Sequence, residues 1–382
     1  MVDEKTQKTH SKIRKVLFCA SAASHIINFH DIYFDYLKDM GFEVHAAAGI
    51  NKADNSDMNL INAEKTFALT FEKGKKIFKN IVTVFKLAKI IRREKYDIVS
   101  THSMLAGFMG RLAVIFAHNK KVKVIHTCHG YLFNDDKSFK SKLMILTEKI
   151  LSLRTDVLFV MNGDDYNIAI KHKLCKKIER IDGMGIDIRK LDSPSPDFLK
   201  YDIPENKKYF LCVGEFSKRK NQKNIIRAFG RFIHSLPDDF NNSYHLIFLG
   251  GGVLFDECKR LCGTLGIIKN VTFCGYIGET QAFYKFSDYV VSASEFEGLP
   301  FNILEALYYG KPVIASNVKG HKDLISDGVN GYLYDYNNDE QLFELFKKVS
   351  ATDLRNEIFL HEKYYFDNVQ EKILNCYGNM QP

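Results

Sequence analysis

Residues 295–307 read EFEGLPFNILEAL, with two acids, Glu297 and Glu305, eight positions apart. The serine-rich SAS before them ends a strand, EFEGLP turns, and FNILEALYYG reads as a helix stopped by Gly310. Pro300, or the residue after it, fits the first helical position, where no N–H is needed. The segment Leu299, Pro300, Phe301, Asn302 and Ile303 therefore offers the unpaired N–H groups of a first turn, which favour a phosphate. Gly298 permits a close backbone approach. Carboxylates repel phosphate but accept strong bonds from neutral hydroxyls. Two acids flanking such a turn suit a ligand with hydroxyls on both sides of a phosphate, which describes a nucleotide sugar. The spacing alone is equally that of a turn with two solvated acids.

A second stretch, VGEFSKRKNQKNIIRAF (213–229), places Gly214 and then Lys218, Arg219 and Lys220 between a strand end and a helix. By itself it reads as a solvated basic loop. At the same end of the same sheet as the acids, it becomes a means of neutralising a diphosphate.

The elements that must position these groups recur in two series. Short apolar runs at 14–21, 42–48, 96–102, 123–130 and 156–162 alternate with helical patterns, and the series restarts at 208–214, 244–250, 270–275, 289–294 and 312–316. Near-continuous apolar runs fit strands buried on both faces of a parallel sheet, joined by helices in βαβ units. The stretch 183–208 carries three of seven prolines and reads as a linker. The chain is thus expected to be α/β, two doubly wound Rossmann-like domains facing across a cleft, with ligands at the carboxyl ends of the strands.

Bulk properties agree. A chain of 382 residues exceeds one ordinary core, and 46% apolar with 26% charged residues is a globular balance. No apolar run is long enough to span a bilayer. The polar residues 1–13 are expected to be a disordered lead-in rather than a secretory signal, and a cytoplasmic location is expected. Eight cysteines without metal-ligand spacing read as reduced, mostly buried thiols. The net charge of +8 suits an anionic ligand or surface. It gathers in 73–95 and 137–154, where lysines accompany apolar residues at helical spacing: Lys75, Lys76, Lys79, Lys86 and Lys89 beside Ile77, Phe78, Ile81, Val82 and Phe85. The plain reading is helices packed on a sheet with solvated lysines; the alternative is docking on an anionic membrane. Nucleic acid is not expected, since no stacking aromatics or binding module accompany the charge.

The stretch from Tyr289, with E-x7-E at Glu297 and Glu305 followed by GKPVIAS and DGVNGYL, resembles the donor-site region of retaining family 4 glycosyltransferases of the GT-B fold. VGEFSKRKNQ is similar to their phosphate-binding loop. In the first half, 97–113, 124–133, 155–166 and 183–191 resemble members that build bacterial capsule, exopolysaccharide or lipopolysaccharide. The resemblance spans roughly 14–380. It implies that Glu297 contacts the transferred sugar, Glu305 holds the ribose, and Lys220 with Arg219 stabilises the departing diphosphate. His129 falls near the reacting carbon. Glu215 stands where many members have arginine, so either Arg219 takes over that role or Lys220 acts alone. From their positions, His25 beside the first loop and His102 at a strand end are candidates for the acceptor side, though a lone strand-end histidine such as His102 more often has a structural role.

The implied domains are 14–195 for the acceptor and 196–365 for the donor, with a helix in 366–382 returning to the first domain. The implied activity moves a hexose or N-acetylhexosamine from a UDP-sugar to a polyprenyl-diphosphate-linked glycan at the inner face of the plasma membrane. Neither metal nor cofactor is expected: NDD (134–136) and GDD (163–165) read as solvated loops or helix caps. Two rivals are a UDP-sugar epimerase of the same shape and a non-catalytic nucleotide-sugar-binding subunit. Activity without any acceptor would mark the first, and absence of turnover the second.

Overall fold

A computed structural model describes residues 13–50, 57–72, 78–192, 201–351 and 360–380. The lead-in 1–12, the middle of the linker at 193–200, and Lys75, Lys76 and Ile77 lie outside the described residues. The first sheet contains β1 (Arg14–Ala20), β2 (Phe42–Gly49), β3 (Lys65–Leu69), β4 (Ile98–His102), β5 (Lys123–Cys128), β6 (Val157–Val160) and β7 (Lys177–Arg180) in the order β3-β2-β1-β4-β5-β6-β7. The second contains β8 (Lys208–Val213), β9 (Tyr244–Leu249), β10 (Val271–Phe273), β11 (Tyr289–Ser292), β12 (Val313–Ser316) and β13 (Gly331–Tyr334) in the order β10-β9-β8-β11-β12-β13. All the pairings are parallel.

The apolar runs follow from burial. Val16, Leu17, Phe18, Cys19 and Ala20 are buried on both faces of β1, as are Val290 and Val291 of β11. Such a strand has no solvent face on which a polar residue could alternate. In each sheet the strand order reverses once, between β1 and β4 and between β8 and β11. Adjacent crossover helices there lie on opposite faces and leave a crevice at the carboxyl ends of the strands. The chain end crosses back to the first sheet. Phe366 N–H donates to the Ile186 carbonyl, and Tyr377 of the helix Phe366–Asn379 places its hydroxyl 2.6 Å from Ser100 Oγ. Gly185 (φ +75°) is needed at this crossing, because a Cβ there would lie 2.6 Å from Phe366 Cα. Seven of the eight cysteines are buried and none is in a disulfide.

Candidate active site

The two crevices face one another across a cleft of about 1060 Å³, ample for a nucleotide sugar. The second-domain wall is built by the turns after β8 and β11. Gly250 and Gly252 hold the β8 turn in place by close backbone approach: a Cβ on Gly250 would fall 2.1 Å from the Gly214 carbonyl oxygen. That turn delivers Arg219 and Lys220 to Glu297, which follows β11. Glu297 Oε1 lies 2.7 Å from Lys220 Nζ and 2.8 Å from Arg219 Nη1. Burial works against the Glu297 charge, but Lys220 and Arg219 outweigh it and hold the carboxyl well below the usual carboxylate range. Arg219 also donates to the Phe296 carbonyl, so it occupies the site despite Glu215 standing in the usual arginine position.

The helix Phe301–Tyr308 starts at Pro300, its N-cap, with no side-chain cap on the first-turn N–H groups. Leu299, Pro300, Phe301 and Asn302 line the cleft, and Asn302 Nδ2 donates to the Val213 carbonyl at the end of β8. Ile303 does not join them. Its side chain is fully buried in the core and its N–H donates to the Pro300 carbonyl, so it serves as the helix's inward face. Glu305 lies deeper along the same wall. Burial lifts its carboxyl to about 7, partly offset by the hydroxyls of Tyr284 and Thr280. Thr280 belongs to the segment Tyr276–Gln281 after β10, a stretch of cleft wall that spacing and motifs did not single out.

On the first-domain wall, His25 and His129 meet with their Nε2 atoms 3.2 Å apart. Burial keeps both imidazoles neutral, pushing His25 down to about 4 and His129 well below its ordinary value. His102 is not at the cleft surface. It is buried behind His30, with ring centroids 3.7 Å apart, stacks on Phe18, and is hydrogen-bonded to Ser100. A histidine at the end of a central strand with a phenylalanine beside it on β1 is drawn into the core, so His102 supports the wall without lining it.

The walls touch behind Glu297. A Cβ on Gly298 would lie 2.4 Å from the His129 carbonyl oxygen, and one on Gly130 (φ +104°) 2.7 Å from Gly298 N. Gly298 thus permits approach to the other domain's backbone. Asn162 Nδ2 donates to the Gly298 carbonyl at 3.0 Å, and Lys319, buried, pairs with buried Asp165 at 2.9 Å and donates to the Phe133 carbonyl. Asn162 caps the helix Gly163–His172, so one helix start in the first domain grips the turn carrying Glu297. The acids of NDD and GDD are engaged in this way: Asp135 pairs with Lys171 and His172, Asp136 accepts from Ser138 N, and Asp164 pairs with Lys322.

Two doubly wound parallel-sheet domains facing across a cleft, with an acid and cations on one wall and histidines on the other, make a GT-B architecture. Comparison with known proteins gives the family. The glycosyl transferases group 1 model matches residues 196–359 and the glycosyltransferase family 4 model residues 34–183. A Bacillus subtilis protein named as a glycosyltransferase, EpsD, is 31% identical over 328 residues, covering 84% of this chain and 83% of its own. The chain belongs to the family 4 glycosyltransferases of the GT-B fold. An Escherichia coli UDP-Gal:alpha-D-GlcNAc-diphosphoundecaprenol alpha-1,3-galactosyltransferase is 28% identical over 303 residues, 76% of each chain. Anabaena HepE, solved with UDP and glucose, matches in fold with a TM-score of 0.73 over 95% of this chain and 99% of that one at 18% identity. The protein is a glycosyltransferase, and its relatives include a Staphylococcus aureus capsular polysaccharide biosynthesis glycosyltransferase, CapH, 27% identical over 282 residues and 72% of each chain. Among the described residues, no helix is long and apolar enough to cross a membrane.

Proposed function

We propose that the protein is a retaining, metal-independent transferase that moves a hexose or N-acetylhexosamine from a UDP-sugar to a polyprenyl-diphosphate-linked glycan. The observation that carries this reading is the cluster of buried Glu297 with half-buried Lys220 and Arg219 at the switch point of the second sheet, opposite His129. In the reaction, the bond from the anomeric carbon to the diphosphate oxygen breaks and the electron pair leaves with the diphosphate. Lys220, Arg219 and the first turn of the helix at Phe301 receive that charge with no reorganisation. The acceptor hydroxyl bonds the anomeric carbon on the same face, and its proton passes to the departing phosphate oxygen. Glu297 holds the sugar hydroxyls; tied to two cations, it is a poor nucleophile, which favours same-face attack over a covalent intermediate. Glu305 takes the ribose hydroxyls and His129 the sugar from the opposite wall.

The lipid-linked acceptor is supported by the exposed face of the first domain. On the helix Asn80–Glu94 the packed residues are Val84, Leu87, Ala88 and Ile91, while Ile81, Val82 and Phe85 face outward beside Lys86 and Lys89, with Phe78 (78% exposed) and Lys79 in the turn just ahead of it. The helix therefore carries a second apolar face in solvent, beyond the one it packs on the sheet. The helix Phe139–Ser152 does likewise with Phe139 (83% exposed), Leu143, Leu146 and Ile150. These two helices pack on either side of the helix Met104–Phe116, itself exposing Phe108 and Phe116. Leu132, on the cleft wall, is seven residues ahead of Phe139. An apolar face set with lysines and leading into the cleft suits a peripheral enzyme at an anionic membrane surface.

The test is a panel of nucleotide sugars, with and without polyprenyl-diphosphate-linked saccharides. The expected result is selective thermal stabilisation by one UDP-sugar and a new α-linked product only with acceptor. Conversion of the UDP-sugar without acceptor would establish the epimerase instead, and binding without any turnover the non-catalytic subunit.

A further inference from the structure

Behind the first-domain wall, His25, His30 and His129 bring three imidazoles together, with one ligand atom from each within 4.8 Å of the others. His30 is fully buried, and neither of its ring nitrogens has a hydrogen-bond partner among the described residues. A buried imidazole with both nitrogens unanswered is unfavourable, and something must satisfy it. His25 Nε2 and His129 Nε2, 3.2 Å apart, already have the separation of two ligands on one ion, since zinc–nitrogen bonds of about 2.0–2.1 Å put tetrahedral ligand atoms roughly 3.3 Å apart. The donor-site cations are on the opposite wall, so the cluster is free of the electrostatic repulsion they would impose.

We propose that His25, His30 and His129 form a binding site for a divalent transition-metal ion, with Zn²⁺ as its occupant. Three neutral imidazoles suit Zn²⁺ rather than Mg²⁺ or Ca²⁺, which take oxygen ligands. His25 and His129 line the cleft while His30 closes the site from within, so the fourth coordination position opens toward the cleft. Occupancy engages His129 Nε2 and withdraws it from the cleft. The site rests on imidazole geometry and stands independently of the donor, acceptor and stereochemistry of transfer.

The test uses the full chain, stripped of metal, and reads binding directly. Co²⁺ is titrated while visible absorbance is followed, and Zn²⁺ is then added in competition with a chromophoric chelator. The expected result is one equivalent of Co²⁺ with the intense bands of a four-coordinate nitrogen-rich site, displaced by Zn²⁺. His30→Leu and His25→Ala should each weaken Zn²⁺ binding at least about tenfold, with metal-free melting curves unchanged. His25 lies at the cleft wall, so its variant carries the test if His30→Leu does not fold. Absence of a saturable equivalent, or wild-type affinity in His25→Ala, overturns the proposal.

Discussion

Glu297 Oε1 lies 2.7 Å from Lys220 Nζ, so the acid expected to hold the sugar and the cation expected to meet the diphosphate are already paired before any ligand arrives. The pairing makes each group's charge dependable in a buried place. It also means that removing Lys220 acts twice, once on the leaving group and once on Glu297. Lys220→Ala is expected to lower kcat by on the order of 10²–10³, the scale of losing one preorganised charge donor. Glu297→Gln, nearly isosteric, should cripple transfer while keeping the melting temperature close to wild type. Steady-state kinetics with the best donor decides the matter: wild-type turnover in both variants would remove this cluster from the chemistry.

The charge developing on the diphosphate is met by Lys220, Arg219 and a helix start. Treatment with EDTA is therefore expected not to lower initial rates, and to raise them only where an ion had occupied the histidine cluster and engaged His129. Loss of activity on chelation that returns with Mg²⁺ or Mn²⁺ would show that these side chains do not suffice.

Glu305 gives a pH signature. Burial lifts its carboxyl from 4.5 to about 7, so between those values the folded chain holds a proton that the unfolded chain has released. Stability must then fall as pH rises from about 4.5 to 7 and stay low above. Glu305→Gln should melt higher than wild type at pH 8 but not at pH 4. Ribose hydroxyls donating to the carboxylate favour its ionised form. UDP-sugar affinity in the wild type should therefore rise about tenfold from pH 6 to pH 8 and lose that dependence in Glu305→Gln. Titration calorimetry across the range tests both signs, and a flat wild-type profile would refute the ribose role.

The grip behind the active turn is a stability prediction. Lys319 and Asp165 are both buried and 2.9 Å apart. Lys319→Met leaves Asp165 buried without its cation, which should destabilise by roughly 3–5 kcal/mol. Adding Asp165→Asn should recover most of that loss. Denaturant melts of the single and double variants measure it; equal stability of the two would mean that Asp165 never depended on Lys319.

How much of this was legible follows from where each residue's partners lie. The central strands announced themselves because burial on both faces leaves no room for polar residues, as in β1 and β8. The edge strands β3, β7 and β13 did not, since KTFAL, KIER and GYLY are short and mixed, having a neighbour on one side only. The placement of Glu297, Arg219 and Lys220 at the cleft was readable because each sits on a turn fixed by local sequence, and that of Glu305 because it lies on the helix that the second turn begins. Asn162 and Lys319 were not: Asn162 acts on Gly298, 136 residues away, through a contact that exists only once two domains meet. The histidine cluster is likewise assembled from separate parts of the chain, the helix that follows β1 and the turn after β5. The apolar residues of the helix Asn80–Glu94 were visible, but the face they occupy depends on which side the sheet covers.

That exposed face yields the last prediction. Phe78, Ile81, Val82 and Phe85 on one helix and the turn before it, and Phe139, Leu143, Leu146 and Ile150 on another, stand in solvent with Lys79, Lys86, Lys140 and Lys142 among them. Lysines near an anionic surface contribute about 1 kcal/mol each, and this attraction fades within a Debye length of roughly 8–10 Å. Charge alone would give attachment that high salt abolishes. Inserted apolar side chains add a contribution that salt does not screen, since each buried CH₂ is worth about 0.8 kcal/mol. Binding to anionic vesicles should therefore weaken in high salt but persist, and neutral vesicles should retain only the weaker part. Phe85→Asp with Leu146→Asp should abolish that residual binding, while Lys79→Glu with Lys86→Glu should remove the salt-sensitive part. Neither pair should change UDP-sugar affinity, because the donor groups lie in the other domain. Vesicle co-sedimentation at two salt concentrations separates the contributions. Wild-type binding by the aspartate pair would mean that the apolar face meets no lipid.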